Sequence, residues 1–182
     1  MYGLVVQFDE ETDYRFQELW NHLERLGLSR YGSEVEGRRP HLTLANMTNI
    51  EGFSLHHVMR HMPPFPSKLT CKTVGTFSGT QTLFIGPVPS KRLLDWHSKL
   101  HLLLGRNSNP HSHYAPEHWV PHVTVASRLG ESMAEVFRLC LDIDPFEVRP
   151  VEVVLIRVIE TDGGLSVKEI EQYPIIHKRK TP

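Results

Sequence analysis

One five-residue pattern occurs twice in this chain of 182 residues, about 80 residues apart: Pro40-His41-Leu42-Thr43-Leu44 and Pro121-His122-Val123-Thr124-Val125. With this composition, a proline-histidine-apolar-threonine-apolar string is expected on the order of 0.01 times in such a length. A strand has a side-chain period of two, so His41 and Thr43 share one face while Leu42 and Leu44 share the other. The apolar pair anchors the strand, and the polar pair projects an imidazole and a hydroxyl about 6.5–7 Å apart. His122 and Thr124 repeat the arrangement. A single His-x-Thr is an ordinary surface or core pair; two in equivalent settings are a constraint on the whole fold.

The flanking patterns support a duplication. Residues 3–8 read as a buried strand, and residues 10–27 as a helix with Phe16, Leu19, Trp20 and Leu23 on one face, ended by Gly27. A polar loop over 29–39 leads into a strand over 41–47. Ser54 caps a short helix to about residue 61, stopped by Pro63-Pro64. Strands over 67–77 and 82–88 surround Ser78-Gly79 as a hairpin. In the second half, Ser90 caps a helix to about residue 104, and a long polar loop spans 105–117. A strand follows over 119–126, then a helix over 131–142. A long strand over 146–160 and a turn at Asp162-Gly163 precede a last strand over 165–173. Both halves thus carry helix, strand, helix, strand, strand. The expected organisation is one bilobal domain over 1–182, with halves at about 1–88 and 89–176 and a basic tail at 177–182.

Related by a twofold axis, the two His/Thr pairs would face each other across a cleft. Two imidazoles of opposite protonation state supply a base and an acid on either side of a phosphorus atom. Two threonine hydroxyls donate to its non-bridging oxygens. Such a site needs no metal.

Twin His-x-Thr motifs on equivalent strands of a duplicated unit resemble the two-histidine (2H) phosphoesterase superfamily, which includes RNA 2′,5′-ligase-like proteins and cyclic nucleotide phosphodiesterases. The resemblance implies an α+β, bilobal, pseudo-twofold fold: two small antiparallel-rich sheets with outer helices around a central groove. It implies a cofactor-free hydrolase acting on a 2′,3′-cyclic phosphate or a 2′–5′ linkage at an RNA 3′ end or on a small nucleotide. His41, Thr43, His122 and Thr124 inherit the catalytic roles. Pseudo-symmetry lets the histidines exchange roles, with His122 as base and His41 as acid the working assignment. Two departures stand out: Ala45-Asn46-Met47-Thr48 follows the first motif, and Arg128 follows the second a residue late. They leave open an alternative, a non-catalytic nucleotide or RNA-end binding module on the same fold.

Other residues are candidates for holding substrate. Phe84, Trp119, Tyr114 and Tyr173 offer rings on which a base stacks, and Arg128 offers a phosphate contact, as do Arg38 and Arg39. The chain holds twelve histidines. His111, His113 and His118 lie close enough in sequence to suggest zinc, but no cysteine or acidic partner completes a ligand set, so no metal is expected. The 20 basic and 21 acidic residues nearly cancel. That excludes a polybasic protein and argues against a long RNA-tracking footprint, since each neutralised phosphate needs its own Lys or Arg. Cys71 and Cys140 form no CxxC pattern, Asp9 arrives too early for a signal peptide, and no apolar run approaches a membrane span. A cytoplasmic monomer is the expectation.

Overall fold

A computed structural model describes residues 1–162 and 164–175; the basic tail and Gly163 of the expected turn lie outside them. The order is β1 (Tyr2–Phe8), α1 (Glu10–Arg25), β2 (Val35–Glu36), β3 (His41–Met47), α2 (Leu55–Arg60), β4 (Leu69–Thr76) and β5 (Leu83–Pro87). Then follow α3 (Lys91–Leu104), β6 (Val123–Ala126), α4 (Met133–Leu141), β7 (Phe146–Val148), β8 (Pro150–Thr161) and β9 (Gly164–Pro174). The fold is α+β, with two sheets ordered β2-β9-β8-β1-β3 and β6-β5-β4-β7. Among the described residues no helix is long and apolar enough to cross a membrane.

Local chemistry sets the elements. The Asp9 carboxylate caps α1 by accepting from the Thr12 N–H, and Gly27 leaves the helix at φ +72°. Ser54 and Ser90 cap α2 and α3 as expected. The strand expected over 119–126 is shorter, beginning at Val123, because Pro121 has no N–H to give a ladder. The strand expected over 146–160 is two strands. Arg149 interrupts it: its carbonyl accepts from the Asp9 N–H at 2.9 Å and its N–H donates to the Thr12 hydroxyl at 3.3 Å. Its backbone is therefore spent on the start of α1, and β7 and β8 join different sheets. The short β2 in the first polar loop was not foreseen; it pairs in parallel with β9.

The sheets do not coincide with the sequence halves. The five-stranded sheet takes β1, β2 and β3 from the first half and β8 and β9 from the second, while the four-stranded sheet takes β4 and β5 from the first and β6 and β7 from the second. The two motif strands, β3 and β6, are the edge strands of their sheets and touch each other. Leu42, Leu44, Val123 and Val125 are buried in one core shared by both sheets.

Each motif strand also carries a β-bulge at the same place. In β3 the register runs Thr43 to Val5 and Ala45 to Leu4, so Leu44 is the extra residue. In β6 it runs Thr124 to Phe84 and Ala126 to Leu83, so Val125 is the extra residue. A bulge bends its strand and re-aims nearby side chains. The carbonyl of Leu44 accepts from His97 Nε2 at 2.8 Å and His101 Nε2 at 3.0 Å, both on α3. Desolvation lowers the His97 pKa to about 4, against the opposing pull of that carbonyl. An unfolded histidine titrates near ~6.5, so the unfolded chain binds the extra proton between these values. Stability is therefore fully present above the unfolded pKa and falls as pH drops from about 6.5 to 4, by on the order of 3 kcal/mol from this group. Urea midpoints measured across that window should show the fall, and His97→Gln, though less stable throughout, should show a flatter one.

Candidate active site

Both motif histidines are held by the same bond. His41 Nδ1 lies 2.7 Å from the Arg39 carbonyl, and His122 Nδ1 lies 2.7 Å from the Val120 carbonyl. A carbonyl only accepts, so Nδ1 carries the hydrogen in both rings and Nε2 keeps its lone pair when the ring is neutral. The proline between each histidine and its carbonyl explains the repeat. Pro40 and Pro121 fix their own φ and hold the preceding residue extended, which presents the same carbonyl to the same ring twice.

The motif threonines are braced just as symmetrically, and from the opposite half. Trp119 Nε1 donates to the Thr43 carbonyl at 2.9 Å, and Trp20 Nε1 donates to the Thr124 carbonyl at 3.3 Å. The Tyr114 phenol stands beside the Thr43 side chain, and the Tyr31 phenol beside that of Thr124. Burial pushes both tyrosine pKa values up, so the phenols stay protonated. Tyr31 and Trp20 belong to the first half and serve the second motif; Tyr114 and Trp119 do the converse.

Electrostatically, both imidazoles favour the neutral form. Desolvation lowers the pKa of His41, helped by the charges of Arg38 and His122 and opposed by the Arg39 carbonyl. Desolvation lowers that of His122 as well, opposed by the Val120 carbonyl. The rings around His122 are Phe77 at 4.9 Å, Phe84 at 5.2 Å and Tyr114 at 6.1 Å between centroids, and His122 is 9% exposed. Phe84 reaches it because two glycines leave room. A Cβ on Gly75 would stand 2.7 Å from the Phe84 ring, and one on Gly86 would stand 2.9 Å from the Pro121 carbonyl. His41 has a different outlook, a cavity of about 160 Å³ lined in part by Val5, Gln7, Tyr31, Arg38 and Ile156. The two walls of the groove are therefore unlike: aromatic beside His122, a mixture of aliphatic, polar and basic side chains beside His41.

The remaining sequence candidates divide. Tyr114 and Phe84 lie at the paired histidines. Trp119 does not offer a free face: it is buried and stacked on His97, ring centres 3.7 Å apart. Tyr173 lies away from the groove. It pairs with Val153 on the helix-covered face of the sheet, edge-on to His56 at 5.2 Å. Arg128 is exposed and ion-paired to Glu34. Arg39 is taken by Asp13, whose Oδ2 receives Nε at 3.0 Å and Nη2 at 2.8 Å, with Glu152 at 3.5 Å. That network fixes the residue whose carbonyl orients His41. His111, His113 and His118 are exposed, and among the described residues no group of three His, Cys, Asp or Glu is placed to hold a metal ion. Sequence reading passed over Tyr31. Its signal was a tyrosine about ten residues before His41, matching Tyr114 about eight before His122.

A sequence profile of the 2′-5′ RNA ligase superfamily matches residues 15–162. Among curated proteins none matches the sequence. The fold is similar to LigT of E. coli complexed with 3′-AMP, at 16% identity and a TM-score of 0.65, covering 97% of this chain and 98% of that one. LigT has also been solved with ATP and with NADP+. A phosphoesterase is similar at 15% identity and a TM-score of 0.63, over 97% of this chain and 98% of that one. TT0787 of Thermus thermophilus is similar at 16% identity and a TM-score of 0.59, over 96% of this chain and 97% of that one.

The aromatic enclosure yields a test independent of turnover. Phe84→Ala admits water to His122 and relieves the desolvation that depresses it, so its pKa should rise. An NMR titration of the imidazole reads the shift; an unchanged or lower value would show that Phe84 does not set it.

Proposed function

The chain belongs to the 2′-5′ RNA ligase superfamily, and from that membership and the groove we propose that it is a metal-independent phosphoesterase. Its substrate is a 2′,3′-cyclic phosphate, or a related 2′–5′ linkage, at an RNA 3′ end or on a small nucleotide. The observation that carries this reading is the pair of carbonyl-held histidines, each with its Nε2 left over for chemistry. LigT's complexes with 3′-AMP, ATP and NADP+ support the nucleotide class.

The reaction uses both rings. One neutral Nε2 takes a proton from water as the water oxygen attacks phosphorus. The other ring, protonated, gives its proton to the departing ribose oxygen, and a phosphomonoester results. His122, among three rings that disfavour charge, is assigned the base, and His41 the acid. The Thr43 and Thr124 hydroxyls hold the non-bridging oxygens, oriented by the phenols of Tyr114 and Tyr31. The charge on phosphorus is met by hydroxyls and an imidazolium aimed at it in advance. Substrate anion between the rings favours the protonated form of one of them.

The decisive assay offers 2′,3′-cyclic mononucleotides, a cyclic-phosphate-ended oligomer and a 2′–5′ dimer, with and without EDTA. Turnover should survive EDTA, and saturable binding without product would instead support a binding module. His41→Ala and His122→Ala should each lower kcat by at least ~10²; activity within a few-fold of the parent would sink the assignment.

The pH profile follows from the directions of the shifts. The free protein is competent when one ring of the pair is protonated, and both pKa values lie below the ordinary histidine range. kcat/KM should therefore be bell-shaped with its maximum on the acid side of ~6.5. A maximum at about pH 8 would contradict it.

A further inference from the structure

Two arginines from different halves meet on one carboxylate beside the groove. Glu34 Oε1 accepts from Arg38 at 3.1 Å, and Glu34 Oε2 is paired with Arg128. Arg38 is 14% exposed and Glu34 21%, while Arg128 is 76% exposed. The Arg38 guanidinium lies 3.8 Å over the ring of Tyr31 and donates to that residue's carbonyl. The same tyrosine stands beside Thr124, and Arg38 lines the cavity that His41 faces. The cluster thus stands one tyrosine ring from the threonine proposed to hold the reacting phosphate.

The Arg128 arm of this arrangement adds little stability. Arg128 is the one non-glycine residue at positive φ among the described residues, at +54°. That conformation is costly for a residue with a Cβ. Its ion pair with Glu34 is made by an exposed guanidinium and contributes little. Two positive charges against one negative leave the cluster under-compensated. Two planar guanidiniums sharing an oxyanion between them match the geometry of a bound phosphate. A carboxylate on a surface loop is a replaceable occupant of that position.

We propose that Arg38 and Arg128 form a second phosphate site, in which a phosphate neighbouring the reacting one displaces Glu34 from between the guanidiniums. The proposal rests on the phosphoesterase reading for what occupies the groove. It narrows the substrate class to nucleotides bearing a phosphate on the 5′ side of the terminal ribose. That group is either a 5′-monoester or the last internucleotide diester of a chain.

Equilibrium binding tests it with three probes: adenosine 3′-monophosphate, adenosine 3′,5′-bisphosphate, and the adenosine dinucleotide ending in a 3′-phosphate. The second and third should bind at least about tenfold more tightly than the first, as hydrogen bonds to a charged group imply. A preference for the bisphosphate identifies a 5′-monoester as the natural group, and a preference for the dinucleotide identifies a chain end. In Arg128→Ala the ratio to the monophosphate should collapse towards one. In Glu34→Gln, which removes the competing anion, affinity for the bisphosphate should rise several-fold. Equal affinities for all three probes, no binding of any, or an Arg128→Ala protein that keeps the ratio overturns the proposal. Turnover with equal affinities would leave the phosphoesterase reading standing without this site. Tight bisphosphate binding without turnover would do the reverse.

Discussion

The carbonyl oxygens of Arg39 and Val120 decide what the groove can present. Each accepts from the Nδ1 of a histidine two residues on, and that single bond settles ring orientation and tautomer together. Without it a neutral imidazole at a groove edge would distribute between tautomers and rotate. The rest of the structure works to keep those two carbonyls in place. Pro40 and Pro121 fix the backbone between donor and acceptor. Arg39 is tied to Asp13 on α1, to Gln7 on β1 and to Glu152 on β8, so the first carbonyl is anchored to three elements. The second is held where Pro121 runs against Gly86.

Around this pair the symmetry is functional more than architectural. An indole braces each motif threonine, yet Trp20 comes from a helix and Trp119 from a loop. The bulges fall on the same motif position, Leu44 and Val125. The groove walls differ, with phenylalanines beside His122 and a mixed aliphatic and basic cavity beside His41. A symmetrical pair of motifs with unsymmetrical walls suits a ligand whose two ends differ chemically.

How much of this was legible in the sequence depends on the range of the interaction. The motif strands were readable because proline, histidine and threonine at period two are unusual residues in a rigid pattern. The caps at Ser54 and Ser90 were readable because a cap bonds within three residues of itself. The bulges were not, because Leu44 and Val125 are ordinary strand residues and the extra residue exists only relative to a partner strand. Trp119 read as a stacking platform because it precedes His122 closely; its ring instead lies on His97, contributed by a helix that ends before the long loop begins. The break at Arg149 had a local sign in Pro150, but the groups that take up the Arg149 backbone lie near the other end of the chain.

That last separation has a consequence for how the molecule is made. The interior strand β1 is flanked by β3 and by β8, so one of its neighbours is synthesised long after it. Until β8 arrives, β1 and β3 form a two-stranded ribbon whose open edge has nothing to pair with, and the cavity beside His41 lacks its Ile156 wall. Pairings of such long sequence separation are slow to form and leave strand edges available to other chains meanwhile. The interleaving that gives each sheet strands from both halves therefore makes the nascent chain dependent on its later segments: a chain made only as far as β5 holds the first histidine but neither the second nor a finished sheet to set it in.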